Sequence, residues 1–393
     1  METVTNYPYV LVHGMLGFGK DELVNKIAPY WGMLSGGLVP YLNDQGFEVY
    51  DPSVGKYSSA WDRACELYAQ LVGGTVDYGV AHAKKYGHNR FGRTYDKPLF
   101  EGWGKDKKVN LVGHSFGGAT IRLFATLLAA GSEDEIAATP KEELSDFFKG
   151  GKADWVHSIT AVASVHEGTT LLYSSKNLMN KLEIVTYALA NISGNNPLGK
   201  FYESHMEQWG LIDWKDGKVI SKPLNPKVWK HIQEVGDNVW YDLTMKGAGE
   251  VNEMIECLPN VYYFSWPCCK TSQQFFSAKP RQTPRLTMSP VFIPFSRSIG
   301  NYSKNTVDDY PIDEHWLAND GVVPTISEMA PLSEPHMDLH DLKGEPKKGI
   351  WYVYDVMPYD HLGVIGGFLL PTSASKLQPL YRNHFRMINQ LKK

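Results

Sequence analysis

The stretch VNLVGHSFGGATIRLFATLLAAG, residues 109–131, decides the fold. Its opening residues 109–112 are mostly apolar without alternation, as expected of a strand covered on both faces. From Ala119 onward the spacing turns helical. Between them Gly113-His114-Ser115-Phe116-Gly117 reads G-x-S-x-G, a sharp strand-to-helix turn with a serine at its apex. Small residues flank that serine because strand and helix approach too closely there for side chains. The geometry pushes the hydroxyl clear of the backbone, and the helix N-terminus beneath it favours developing negative charge. Ser115 is therefore a candidate nucleophile. The competing reading is a glycine-rich turn needed only for packing.

Outward from this turn, short apolar runs recur at residues 9–12, 47–50, 159–162, 261–264 and 350–353, with helical spacing at 61–72 and 120–130. Apolar strands separated by helices predict an α/β fold, a mainly parallel central sheet with helices on both faces. Two segments read as additions to that scaffold. One spans residues 58–104 and is rich in Gly, His and Tyr. The other spans 168–211, where Leu178, Leu182, Val185 and Leu189 share one helical face until the breaker SGNNP at 193–197. No linker divides the chain, so residues 1–393 are expected to form a single domain.

Bulk composition narrows the function. With 43% apolar and 21% charged residues the chain is globular rather than disordered. A formal charge of −4 and the lack of a long basic tract argue against nucleic acid as a partner. No stretch reaches the roughly 18 apolar residues of a membrane span. The opening METVTNYPYVLVHG moves straight into a strand-like run without the regions of a signal peptide. Four cysteines, two of them adjacent (Cys268 and Cys269), make neither a disulfide scaffold nor a C-x-x-C zinc site.

A serine nucleophile needs a base, an orienting acid and an oxyanion hole. His361, in DVMPYDHLGVIGG after the run at 350–353, is the candidate base. Asp320 in WLANDGVVPT is a candidate acid, with Asp308, Asp309, Asp313, Glu314, Asp338 and Asp341 as rivals. The oxyanion donors should be backbone N–H groups: Phe116, directly after the serine, and Met15, in the loop after the first strand. His13, beside that loop, reads as a buried structural histidine. The 58–104 segment also carries Asp62, His82 and His88, ligand types suited to zinc, and needs a fourth ligand from elsewhere.

In combination these features resemble the zinc-containing secreted lipases of thermophilic bacilli, members of the α/β-hydrolase superfamily, with the staphylococcal lipases as more distant relatives. The resemblance runs through most of the chain and is densest in VLVHG, SSAWDRACELYAQLVGGTVDYGVAHAKKYGHNRFGRTY, GHSFGG, EGTTLL, QWGL, YDL, HWLANDGVV and YDHLGVIG. It implies a triad of Ser115, Asp320 and His361, and oxyanion donors at Met15 and Phe116. It also implies a zinc site of Asp62, His82, His88 and, in VGDNVWYDLT, Asp237. The 58–104 segment then becomes a zinc-binding insertion and 168–211 a helical lid.

Departures from the pattern limit what carries over. Phenylalanine is usual at Met15, and glutamine or methionine at Phe116. The family's T-P-H-D-G-T becomes Ser164-Val165-His166-Glu167-Gly168-Thr169. Calcium is not expected, because the matching acidic positions are Gly363 and Phe368. The implied activity is carboxylic ester hydrolysis through an acyl-enzyme, with acylglycerols as leading substrates at a lipid–water interface and an extracellular location. Alternatives are esterase or polyesterase activity on shorter or synthetic aliphatic–aromatic esters, a catalytic rather than structural zinc, and a non-catalytic lipid-interface-binding protein on the same scaffold.

Overall fold

Side chains alternate along the central strands and feed two separate cores. In a computed structural model of the chain, residues 5–393 are described except 175–179, 181–183, 185, 190–200, 216–217, 223–224, 275, 278 and 368. Among the described residues the central sheet has seven strands. They are β1 (Tyr9–Val12), β2 (Val49–Tyr50), β3 (Val109–His114), β4 (Val156–Val162), β5 (Tyr262–Trp266), β6 (His336–Asp338) and β7 (Trp351–Val353). Their order is β6-β7-β5-β4-β3-β1-β2, and every pairing is parallel. All six apolar runs of the sequence enter this sheet. The seventh strand, β6, carries the polar sequence HMD at the exposed edge and has no apolar signature.

Val10 and Val12 of β1, Leu111 of β3 and Ile159 of β4 point into one core. Tyr9 and Leu11, Val112, and Val162 point into the other. The first core is closed by α1 (Ala60–Val72) through Ala60, Ala64, Leu67 and Leu71, and by α2 (Gly117–Ala130) through Ile121, Phe124 and Leu128. The second is closed by Leu38 and Leu42 and by α3 (Ala374–Gln390) through Leu377, Tyr381, Phe385 and Ile388. Burial on both faces explains why these strands lack a solvent-facing polar alternation.

Within residues 58–104, α1 is followed by an antiparallel hairpin of Gly74–Asp77 and Phe91–Tyr95, with the short helix Val80–Tyr86 between its strands. Leu178, Leu182 and Val185 of the amphipathic stripe, and the breaker at 193–197, lie outside the described residues. Leu189 is described, in a helical turn at 186–189. Among the described residues no helix is long and apolar enough to cross a membrane. The four cysteines are free thiols.

Candidate active site and metal centre

β3 delivers Ser115 to the turn before α2. Its φ is +56°, a left-handed conformation that costs a non-glycine residue on the order of 1–2 kcal/mol. The surrounding glycines make room for that turn. A Cβ on Gly113 would meet the Gly117 carbonyl carbon at 2.5 Å, and one on Gly117 would meet the Val12 carbonyl oxygen at 2.3 Å. Since Val12 and the start of α2 are both backbone-locked, Gly117→Ala is expected to destabilise the fold by about 3 kcal/mol. A lower denaturation midpoint in urea, with unchanged slope, is the corresponding measurement.

His361 comes from the loop after β7, and Asp320 from a turn after β5. The imidazole joins the two other side chains. Its Nε2 lies 2.8 Å from Ser115 Oγ and its Nδ1 lies 2.5 Å from Asp320 Oδ2. Asp320 is fully buried; its Oδ1 accepts the Val322 and Val323 N–H groups at 2.9 and 2.8 Å. The His361 N–H also donates to the Asp320 carbonyl at 3.0 Å, which fixes the two loops to each other. With Asp320 Oδ2 accepting from Nδ1–H, the other ring nitrogen is free to accept the serine proton. Of the rival acids, Asp308 and Asp309 sit in a positive-φ turn, and Asp313 pairs with His315 at the surface. Glu314, Asp338 and Asp341 are exposed.

The Met15 and Phe116 N–H groups donate to no other described protein group. Gly14 brings the Met15 loop against the serine: a Cβ there would meet Ser115 Cβ at 2.7 Å. Behind the site runs a chain of contacts with no sequence signature. The Gly14 N–H donates to Tyr30 Oη at 3.0 Å, Tyr30 meets His114 Nδ1 at 2.6 Å, and His114 Nε2 donates to the His361 carbonyl at 2.8 Å. Burial, with the nearby His361, holds His114 well below the usual imidazole range, so it is neutral. His13 is likewise buried, between the Gly14 carbonyl and the Val54 N–H, and burial keeps it neutral. It reads as structural, as its position in the sequence suggests.

The four metal-type residues also converge. Asp62 lies in the first turn of α1, His82 in the helix Val80–Tyr86, His88 just beyond it, and Asp237 directly before the helix Val239–Asp242. One ligand atom from each lies within 4.8 Å of the others. His82 Nε2 is 3.2 Å from Asp62 Oδ1 and 3.3 Å from Asp237 Oδ1, and His88 Nε2 is 3.2 Å from Asp237 Oδ2. Asp62 Oδ1, His82 Nε2, His88 Nε2 and Asp237 Oδ2 are buried and make no hydrogen bond with one another or with another group.

Four inward-facing lone-pair atoms without donors are what a cation requires. The electrostatics agree. Burial opposes a charge on His82, yet the carboxylates of Asp237 and Asp62 push it up to about 9. Burial and the Asp237 charge raise Asp62. A divalent cation would neutralise both carboxylates while leaving the imidazoles neutral.

Supporting contacts hold the ligands, and sequence reasoning assigned them no role. His88 Nδ1 donates to the Asn89 carbonyl at 2.8 Å, turning Nε2 inward. Gln208 Nε2 donates to Asp62 Oδ2 at 2.8 Å, and the Trp61 ring stacks on His82 with centroids 5.0 Å apart. Gln208 belongs to the QWGL match, the one hint available from sequence. At Gly363 a Cβ would lie 3.0 Å from Asp360 Oδ1, which accepts the Gly363 N–H, and Phe368 lies outside the described residues.

The family model for "Lipase-like, C-terminal domain" matches residues 5–392. The chain belongs to this family. Lipase 2 of Staphylococcus aureus is 33% identical over 372 residues, covering 93% of this chain and 51% of that protein. The lipase of Staphylococcus hyicus is 34% identical over 381 residues, covering 94% and 55%. The chain thus spans about half the length of the curated relatives it matches. Among solved structures, Staphylococcus hyicus lipase aligns with a TM-score of 0.82 and 33% identity, over 99% of this chain and 97% of that one. EstA from Clostridium botulinum aligns at 0.81 and 36%, over 99% and 88%.

Proposed function

We propose that this lipase-family chain hydrolyses carboxylic esters of lipids, acylglycerols first, with Ser115 as nucleophile, His361 as general base and Asp320 as its orienting acid. The observation that carries this reading is the unbroken line from Ser115 Oγ through the His361 ring to Asp320. His361 Nε2 takes the Ser115 proton as Oγ attacks the ester carbonyl. Asp320 holds the tautomer and stabilises the imidazolium. The Phe116 N–H, at the N-terminus of α2, and the Met15 N–H, in the loop after β1, receive the oxyanion. Collapse expels the alcohol, which takes the proton from His361, and water then releases the acid by the same steps.

Asp62, His82, His88 and Asp237 would hold zinc, a mixed oxygen and nitrogen donor set that suits this ion. Held by four protein groups, the ion would serve as a cross-link tying the 58–104 insertion to the single domain. The insertion also reaches the active site. Arg63, next to Asp62, donates to the His13 and Gly55 carbonyls and lies 5.1 Å over the Phe116 ring.

Residues 168–211 are read as a lid, whose opening would admit an ester to Ser115 and His361, which are 8% and 7% exposed. The far end of that segment is anchored beside the oxyanion loop, where Tyr202 donates to the Leu16 carbonyl at 2.8 Å. Lipid chemistry of this kind fits an extracellular enzyme. The test is turnover of a short ester, a long triacylglycerol emulsion and a polyester film by the purified chain, with Ser115→Ala beside it. Loss of all three in the variant supports one shared site; residual wild-type rates on any of them contradict it.

A further inference from the structure

A buried ion pair stands behind the loop that carries Met15. Residues Gly14 to Gly17 make a four-residue turn, closed by the Gly17 N–H donating to the Gly14 carbonyl at 3.1 Å. Leu16 takes the third position at φ +60°, a left-handed conformation unfavourable for leucine. A residue in that state persists only where its surroundings over-determine it. The turn also sets the direction of the proposed oxyanion donor. The Gly14 C=O and the Met15 N–H belong to one trans peptide and point opposite ways. The Gly17 N–H and His13 Nδ1, the latter at 2.8 Å, hold that carbonyl, so the Met15 N–H is aimed away from both.

What holds the turn comes from residues 51–56. The Val54 N–H donates to His13 Nε2 at 3.1 Å, and the Lys56 carbonyl accepts the Leu16 N–H at 3.3 Å. Further along the loop the Gly19 N–H donates to Ser53 Oγ at 2.8 Å. One side-chain pair ties this segment to the loop. Glu22 and Lys56 are 2% and 0% exposed, and Lys56 Nζ donates to Glu22 Oε1 at 2.7 Å and to Oε2 at 2.8 Å. Ser53 Oγ also donates to Oε1 at 2.9 Å, and the Glu203 N–H to Oε2 at 3.0 Å. These donors fill the acceptor sites of a single carboxylate. Tyr202, beside Glu203, takes the Leu16 carbonyl, and Lys56 Nζ lies 4.4 Å over its ring.

We propose that the buried Glu22–Lys56 ion pair positions the oxyanion loop, locking residues 51–56 against the turn so that the Met15 N–H faces the developing oxyanion. Neither side chain touches substrate; both are positioning residues. The inference rests on the triad and oxyanion reading above. A buried ion pair adds little stability over an apolar pair of similar volume. Its directional bonds instead fix one geometry for a turn that leucine would otherwise leave.

Two variants test this on a soluble short ester, with a short-chain alkyl trifluoromethyl ketone as probe. Ser115 Oγ adds to the ketone carbon, and the carbonyl oxygen becomes an anion within reach of the oxyanion donors. Lys56→Met keeps the side-chain length and removes the charge. The double variant Glu22→Gln/Lys56→Met also neutralises the carboxyl. Outright loss of an oxyanion donor costs on the order of 100-fold or more, and misalignment costs less. Each variant is therefore expected to lower kcat about 30-fold, with KM within about twofold, and to raise the ketone inhibition constant about 30-fold. The double variant should melt close to the wild type.

The proposal is overturned if the double variant folds and keeps wild-type kcat and ketone affinity, since the pair then serves structure alone. It is equally overturned if kcat falls with no loss of ketone affinity, or if KM rises in its place. Should Lys56→Met fail to fold, the double variant decides, because it buries no unpaired charge. Ser115→Ala and the wild type separate the two levels. Persisting turnover in Ser115→Ala, or a wild type indifferent to the ketone, defeats the triad and oxyanion reading. An inactive Ser115→Ala and a ketone-sensitive wild type, beside unaltered Lys56 variants, defeat only this inference.

Discussion

Replacing Ser115 with alanine is expected to lower kcat for ester hydrolysis by about 10^5-fold or more, with little change in melting temperature. The size follows from what the hydroxyl does. The serine hydroxyl lies 2.8 Å from His361 Nε2, and among the described residues no second nucleophile stands at that distance. The oxyanion donors and the binding surface remain, so a residual rate above that of water is retained. KM should move little, because Oγ contributes to bond making rather than to holding the ester. Stability should barely change, since alanine at φ +56° carries the same backbone strain as serine. Glycine at that position would relieve the strain and is expected to stabilise an equally inactive protein by about 1 kcal/mol. A variant that kept more than a few per cent of wild-type kcat would remove Ser115 from the mechanism.

Stripping the metal is the second large effect. Chelation at neutral pH is expected to lower the melting temperature by roughly 5 °C, and added zinc should restore it. An ion held 1,000-fold above its dissociation constant contributes about 4 kcal/mol to the folded state. That contribution is lost with the ion, and the buried carboxylates of Asp62 and Asp237 are then left with the imidazoles as their only partners at the site. Activity should decline only as the insertion loosens. The route is short: α1 carries both Asp62 and Arg63, and Arg63 donates to the His13 carbonyl and lies over the Phe116 ring, beside the proposed oxyanion donors. His88→Ala should reproduce the chelated state and no longer respond to zinc. Full loss of turnover at an unchanged melting temperature would instead make the metal the catalyst. Insensitivity of both quantities would leave the four residues without an ion.

The sheet was legible because its strands are buried on both faces, which writes them into the sequence as apolar runs. β6 escaped for the opposite reason: at the edge, HMD needs no apolar face. Helix α2 begins at Gly117, two residues before the helical spacing becomes visible at Ala119, because the glycines that allow the turn also form its first residues. The serine turn was a local pattern and therefore readable. Its partners are joined by tertiary contacts that leave no spacing behind. Asp320 could not be separated from six other carboxylates by residue type alone; it was singled out through the family resemblance, and the pairing of its carbonyl with the His361 N–H lies in the fold. Asp237 was reached in the same way, since nothing near it in the chain marks a ligand. Gln208, Tyr30 and His114 act through neighbours distant in sequence, and their local sequence does not specify such contacts. The proposed lid falls partly on residues outside the described set, so its stripe stays a reading of the sequence.

The central claim is that one hydroxyl, Ser115, becomes covalently acylated. The most direct measurement is reaction with a p-nitrophenyl alkylphosphonate, which traps a serine nucleophile as a stable ester, followed by intact mass and peptide mapping. The account predicts a single adduct per chain on Ser115, formed in step with loss of activity and absent from Ser115→Ala. An adduct on another residue, or unlabelled protein that loses no activity under the same treatment, would contradict it.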